Sequence, residues 1–489
     1  LPESKAGWRN ISMLAVVLVA LGLCGPTLCS VVPEQIHLSL GESSETVVLT
    51  WLTQNATKDT TVFYGVQKPE NIAHGTQVEF TDGGMKQRKT YIHSVTFPNL
   101  KPDTQYVYTV GSDVTRVGSP THWSSIFKFR TMPPGSNWTL RFAMIGDMGV
   151  VNAVSLPFLE KDVAEEKYHM VLHNGDFAYD MNDDNGRVGD AFMNLIQNIA
   201  TTVPYMTSVG NHEEAYNFSH YKARFRMPGS FENLLYSINV GPVHFVSFSA
   251  EFYYFTKYGT EQIVRQFNWL EKDLLEANKP ENRAKHPWII AFSHRPMYCS
   301  NSDDSEHCPN PDNRIRVGFP IYNGYYRDYV LGLEKLFFEQ GVDIVFAAHE
   351  HSYERCYPVF NLKVCNASAH DPYENPTAPV HIVSGSAGCK EGEDPFVRNP
   401  QPWSAFQSDD YGYTSVVVHN FTHLELQQFS VEGPEPTVID RMLLKKSHPR
   451  TPFTCNAESL EMAADWHYSS LGEILERTIS STYMLSSGK

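Results

Sequence analysis

Five short apolar runs in this 489-residue chain each end in side chains able to hold a metal ion. The run 141–145 leads into Gly146-Asp147-Met148-Gly149, and the run 170–172 into Asn174-Gly175-Asp176-Phe177-Ala178-Tyr179. The run 205–209 leads into Gly210-Asn211-His212-Glu213, and 288–292 into Ser293-His294. The last, 343–346, leads into Ala347-Ala348-His349-Glu350-His351-Ser352-Tyr353-Glu354-Arg355. Carboxylate, phenolate and amide oxygens beside imidazole nitrogens suit iron, zinc or manganese and not an ion that prefers thiolates. A Gly-Asp after a strand is by itself commonly a turn, and a single buried histidine is commonly a core residue. Five such endings in order are what carry the metal-site reading.

For those endings to meet, the runs must be neighbouring strands. In a layered α/β domain, sites gather in the crevice at the carboxyl ends of strands. Gly146, Gly175 and Gly210 are expected to let the chain turn as each ligand leaves its strand. Amphipathic stretches at 262–277 and 328–340 read as helices alternating with the strands, which is the βαβ signature. Residues 32–131 read differently, as short β-branched and aromatic strands separated by turns, for example 46–51, 61–64 and 91–97. The alternation Leu100, Pro102, Thr104, Tyr106, Tyr108, Val110 places a tyrosine as in a tyrosine corner, so a fibronectin- or immunoglobulin-like sandwich is expected there. Met132-Pro133-Pro134-Gly135-Ser136 reads as a linker. Two alternating segments, 414–419 and 423–429, add strands near the end, and the pattern is lost beyond Leu443.

Composition is that of an ordinary globular protein, 42% hydrophobic and 19% charged. A formal charge of −16 argues against a nucleic-acid or anionic-membrane partner, both of which need a basic face, but a buried metal pair can still attract a phosphorylated substrate. The apolar stretch 13–23, followed by Gly25, Pro26, Cys29 and Ser30, is too short to span a bilayer comfortably. Residues 1–30 therefore read as leader and signal peptide, with Met13 the natural start and no stable membrane anchor. Of the remaining cysteines, Cys299 with Cys308 and Cys356 with Cys365 are close enough in sequence to expect local disulfides, leaving Cys389 and Cys455 as a third candidate pair. Sequons at Asn55, Asn137, Asn217, Asn366 and Asn420 point to the same oxidising, secretory route, toward the cell exterior or the lysosome.

The order GDxG, GDxxY, GNHE, a strand-terminal histidine and HxHxYER resembles the purple acid phosphatases, within the calcineurin-like metallophosphoesterases. The likeness extends over nearly the whole chain and, with the sandwich in front, is to the large plant-type members also found in animals. Ala348, where the family usually has glycine, is a small departure. The resemblance implies domains at 32–131 (the family's fibronectin-like N-terminal domain), 138–395 (the metallophosphoesterase domain) and 396–443 (a C-terminal segment), with 444–489 unassigned. It implies a ferric ion on Asp147, Tyr179 and His351, a second ion (iron, zinc or manganese) on Asn211, His294 and His349, and Asp176 bridging. Related phosphoesterases carry a histidine where this chain has Gly149, a place that Tyr179 can make good, and a phenolate favours trivalent iron. The implied activity is hydrolysis of phosphate monoesters by a hydroxide held on the metal pair, at acid pH. His212 is the expected phosphate-binding group or general acid, with His307 a second substrate-contacting candidate and Glu213 and Arg355 orienting neighbours. A phosphodiesterase or pyrophosphatase on the same metals, and an inactive secreted binding protein, are the alternatives.

Overall fold

The computed structural model describes residues 31–302, 310–322, 327–365, 370–447, 453 and 455. Its N-terminal part is a sandwich of two four-stranded antiparallel sheets. One sheet orders Glu34–Leu40, Val47–Thr53, Lys89–Thr96 and Thr76–Thr81; the other orders Asn71–His74, Thr61–Gly65, Gln105–Gly111 and Phe127–Arg130. Alternate residues point inward, so Leu38, Leu49, Trp51, Val62, Tyr108, Val110 and Phe129 form a core of their own. The tyrosine corner is present: the Lys101 backbone N–H donates to the Tyr106 hydroxyl at 2.9 Å.

Beyond the linker, two larger mixed sheets share one apolar core. The six-stranded sheet orders Tyr205–Ser208, Met170–Asn174, Leu140–Ile145, Gly412–Val418, His423–Ser430 and Thr437–Lys445. The seven-stranded sheet orders Tyr236–Val240, Val243–Ser247, Trp288–Phe292, Ile344–Ala347, Val380–Ser384, Tyr353–Cys356 and Ser404–Ser408. Strands buried on both faces read as continuous apolar runs, which is why 170–172, 288–292 and 343–346 lack alternation. The sheets face each other, with the Phe142 ring edge-on to Phe245 at 5.3 Å. Helix Glu261–Ala277 covers the outside through Ile263, Leu270 and Leu274, spaced one and two turns apart. Five strands end at one rim, three in one sheet and two in the other, so the candidate ligands meet where the two layers abut.

Three sequence expectations change. Residues 328–340 are not one helix: Arg327–Leu331 pairs as a strand with Gly318–Tyr322, and helix Leu333–Glu339 begins only after Gly332. Leu331 at φ 65° breaks any helical continuation between them. The closing strand Thr437–Lys445 runs past Leu443, and Lys446 is buried against Asp343 at 2.8 Å. Finally, Cys365 is bonded to Cys455, while Cys356 and Cys389 are free and buried. The hairpin predicted across 356–365 does form, but its register sets Cys365 opposite Pro358, whose carbonyl accepts the Cys365 N–H at 2.7 Å. Cys356 instead lies in the main core, so neither Cys356–Cys365 nor Cys389–Cys455 is a bond. Cys299 is disulfide-bonded; Cys308, His307, Asn366 and the leader 1–30 lie outside the described residues.

The sandwich docks onto the helical segments that follow the GDxxY and GNHE motifs. Arg224 donates to Gln35 at 2.8 Å and to Asp190 at 2.9 Å, and Gln35 donates to Asp190 at 3.0 Å. His220 and Asp82, both buried, meet at 2.8 Å. Among the described residues, no helix is long and apolar enough to cross a membrane.

Candidate metal centre

Four of the seven expected ligands leave their strand ends through a sharp backbone turn. Asp147, Asp176, Tyr179 and His349 all have φ between 54° and 73°, a left-handed conformation uncommon for non-glycine residues and concentrated at functional sites. Of the three glycines expected to make these turns, only Gly175 has a positive φ, 81°. Gly210 serves close approach instead: a Cβ there would lie 2.3 Å from Asp176 Oδ1.

The structure brings the seven side chains together in one buried place. His294 Nδ1–H donates to the Asn174 carbonyl at 2.8 Å, which turns Nε2 into the site. That nitrogen faces Asn211 Oδ1 at 3.0 Å and Asp176 Oδ2 at 3.1 Å, so potential ligand atoms of three residues meet at one point. His349 Nδ1 lies 3.1 Å from the same nitrogen, and ligand atoms of Asp176, His294 and His349 all fall within 4.8 Å of one another. On the other side, His351 Nδ1–H donates to the Gly392 carbonyl at 2.9 Å and turns Nε2 toward the Tyr179 hydroxyl, 2.8 Å away. Asp147 Oδ2 accepts the His349 backbone N–H at 2.9 Å. Its Oδ1 is buried with no hydrogen-bond partner, 3.8 Å from His351 Nε2 and 4.0 Å from His294 Nε2.

Electrostatics fit the same use. Burial, then the Asp176 charge, push the Asp147 carboxyl well above the usual range. Burial, with Asp147 and Asp176, does the same to the Tyr179 phenol. Burial opposes ionisation of Asp176 too, but His294 and His212 hold its carboxylate low. Two acids that ionise at such cost, beside an orphaned carboxylate oxygen, are groups a multivalent cation would hold ionised. The donor set therefore fits two adjoining hard metal ions.

Neighbouring residues fix the ligand loops. The Glu213 carboxylate accepts the backbone N–H groups of Asp176, Phe177 and Gly210 at 2.9, 2.8 and 3.0 Å, tying two strand ends together. His212 Nδ1–H donates to Asp180 at 2.9 Å, its ring lies against Tyr179 with centroids 4.5 Å apart, and Nε2 is 3.7 Å from Glu391. Burial draws His212 down, but Asp180 and Asp176 outweigh it and raise it to about 9. Arg355 reaches away from the site to form a two-pronged pair with Asp440 at 2.7 and 2.8 Å, anchoring the last motif to the closing strand. Sequence reading missed Asp180, Glu391, Asp394, whose carboxylate accepts the His351 backbone N–H at 2.6 Å, and the free Cys389, whose sulfur is 3.5 Å from His351 Nδ1. The acids lie in irregular loops with no periodic signal; Asp180 alone could have been suspected, as the residue directly after Tyr179.

Comparison with known proteins gives the same answer. Three family models match in order: purple acid phosphatase N-terminal domain at 33–131, calcineurin-like phosphoesterase at 140–353, and iron/zinc purple acid phosphatase-like protein C at 378–441. The chain is 50% identical over 414 residues to acid phosphatase type 7 of Mus musculus, covering 84% of this chain and 90% of that one. Against purple acid phosphatase 18 of Arabidopsis thaliana identity is 29%, with 85% of each chain covered. Among solved structures, a purple acid phosphatase from yellow lupin seeds shares the fold with a TM-score of 0.69 at 23% identity, over 89% of this chain and 78% of that one. The chain belongs to the purple acid phosphatase family, enzymes that hydrolyse phosphate monoesters at a dinuclear metal centre.

Proposed function

We propose that a ferric ion binds Asp147, Tyr179 and His351, that a divalent ion (iron, zinc or manganese) binds Asn211, His294 and His349, and that Asp176 joins the two. The observation carrying this reading is the convergence of potential ligand atoms on His294 Nε2, with Asn211 Oδ1 at 3.0 Å and Asp176 Oδ2 at 3.1 Å. A phenol 2.8 Å from an imidazole lone pair supports the ferric side, since phenolate prefers the harder ion. When bound, such a pair supplies Lewis acidity to the phosphate oxygens and to the attacking water. The chain's own part is orientation. Asp180 fixes the His212 ring, so that Nε2 is presented beside Asp176, where it contacts a phosphate or leaving-group oxygen. The second substrate contact assigned from sequence, His307, is kept as part of this proposal.

The substrate is a small phosphorylated molecule, and a nucleic acid is disfavoured by the formal charge of −16. Domain limits of 32–131, 138–395 and 396–443 are proposed with it, the last extended by the strand that runs to Lys445. Passage through the secretory route, to the exterior or the lysosome, is supported by the Cys365–Cys455 disulfide and by the exposure of Asn55, Asn137, Asn217 and Asn420, the glycosylation sites proposed here together with Asn366. The activity is tested on the two-metal protein with nitrophenyl phosphate and its bis-ester. Monoester turnover is expected to exceed diester turnover by at least about tenfold, a preference of roughly 1.4 kcal/mol. Equal or faster diester hydrolysis overturns the monoester assignment.

A further inference from the structure

A cavity of about 260 Å³ lies where the sandwich meets the metal-bearing layers. Phe129 and Met132 wall it from the sandwich, and Val163 and Val203 from the layers. Arg141 and His169 line it as well, side by side. Arg141 stands near the start of strand Leu140–Ile145, whose far end leads to Asp147. Roughly 20 Å of extended chain therefore separates this cavity from the metal centre.

The two side chains present donors to one another. His169 Nδ1 accepts the Arg141 backbone N–H at 3.0 Å, so the imidazole carries its proton on Nε2. That nitrogen lies 3.2 Å from Arg141 Nη2, and a guanidinium can only donate. Burial, then the Arg141 charge, hold the ring neutral by drawing it down to about 4, but a protonated ring would offer the same Nε2–H. Arg141 Nε is committed to the Lys167 carbonyl at 2.9 Å. Among the described residues, neither Nη nitrogen of Arg141 has a protein acceptor. An oxygen set against Nη2 and Nε2 would accept from both. The surroundings favour an oxygen that bears charge. Lys128, Arg130 and Arg141 line the cavity against Asp103 and Glu166, an excess of one cation, and Asp103 is already paired with Arg130 at 2.9 Å.

We infer that this cavity binds a small carboxylate-type monoanion on an apolar body, its oxygen held by Arg141 and His169 and its body by Phe129, Met132, Val163 and Val203. The size suits that class, because an apolar cavity of about 150 Å³ already takes benzene. With walls drawn from both units, the bound anion bridges the sandwich and the layers. The inference stands apart from the metal assignment, since none of these residues is a proposed ligand.

The test titrates the full-length, two-metal protein with benzoate, benzamide and acetate in a calorimeter. Benzoate is expected to bind at least about tenfold more tightly than benzamide, which keeps the ring and lacks the charge, or acetate, which keeps the charge and lacks the ring. Arg141→Gln should weaken benzoate about 10- to 100-fold by removing the charged donor. Ala164→Trp, at an exposed helix end that lines the cavity, should abolish binding by filling the apolar space. That second variant leaves the Arg141 contacts in place, so it decides the matter if Arg141→Gln does not fold. Both variants should keep wild-type kcat and KM on nitrophenyl phosphate, because the metal centre is untouched. Benzoate affinity unchanged in either folded variant puts its site elsewhere, the metal centre included, and overturns the inference. So does a wild type that binds benzoate no more tightly than benzamide.

Discussion

At the scale of single residues, the site divides into groups that hold charge and groups that aim other groups. His212 is the clearest case of aiming: its Nδ1 is committed to Asp180 at 2.9 Å, so only Nε2 is presented toward Asp176 and Glu391. Substituting His212→Ala removes no ligand atom, so both metals should stay. Turnover should fall about 10²- to 10⁴-fold, most for alkyl phosphates whose leaving groups most need a proton. Metal analysis alongside steady-state kinetics checks this, and wild-type turnover on an alkyl phosphate would sink the role. The proposed ligands were candidates in sequence because apolar runs lead into Asp, Asn and His residues that a buried strand has no other reason to carry. The partner that aims His212 was less legible. Asp180 follows Tyr179 in an irregular loop, and only the fold sets its carboxylate 2.9 Å from His212 Nδ1.

At the scale of elements, the ligand loops are held by cross-links between strand ends and not by any one strand. Glu213 is the main one, accepting three backbone N–H groups from the GDxxY and GNHE turns while fully buried. Glu213→Ala leaves three buried donors unsatisfied, and a cost of about 2–4 kcal/mol is expected. Thermal unfolding of the metal-loaded variant should show a lowered Tm together with weaker metal retention. An unchanged Tm would mean the turns hold themselves. Strand existence was readable from apolar runs, and helix 261–277 from its period, because both are local patterns. What failed was local in appearance but decided at a distance. The segment 327–331 is a strand because Gly318–Tyr322 is there to pair with it. Likewise Cys365 bonds Cys455, 90 positions away, because hairpin register turns it from Cys356.

At the scale of the molecule, the N-terminal sandwich and the metal-bearing layers are joined through the helical segments directly behind the ligand loops. Arg88 and Gln35 from the sandwich meet Asp190 and Arg224 there, in a polar network removed from most solvent. The two-layer arrangement explains why five strand ends converge: three belong to one sheet, two to the other, and the rim where they abut is the site. The central claim is that this rim holds an iron–phenolate centre, and the visible absorption spectrum of the purified protein tests it most directly, with metal content measured on the same sample. A phenolate bound to ferric iron gives a charge-transfer band in the visible, so wild type with two metals per chain, one of them ferric, should be coloured. Tyr179→Phe should bleach that band while Asp147, Asp176 and His351 still retain iron, with activity falling less than colour. A colourless wild type that carries a ferric ion and a second metal would contradict the account and remove Tyr179 from the ligand set.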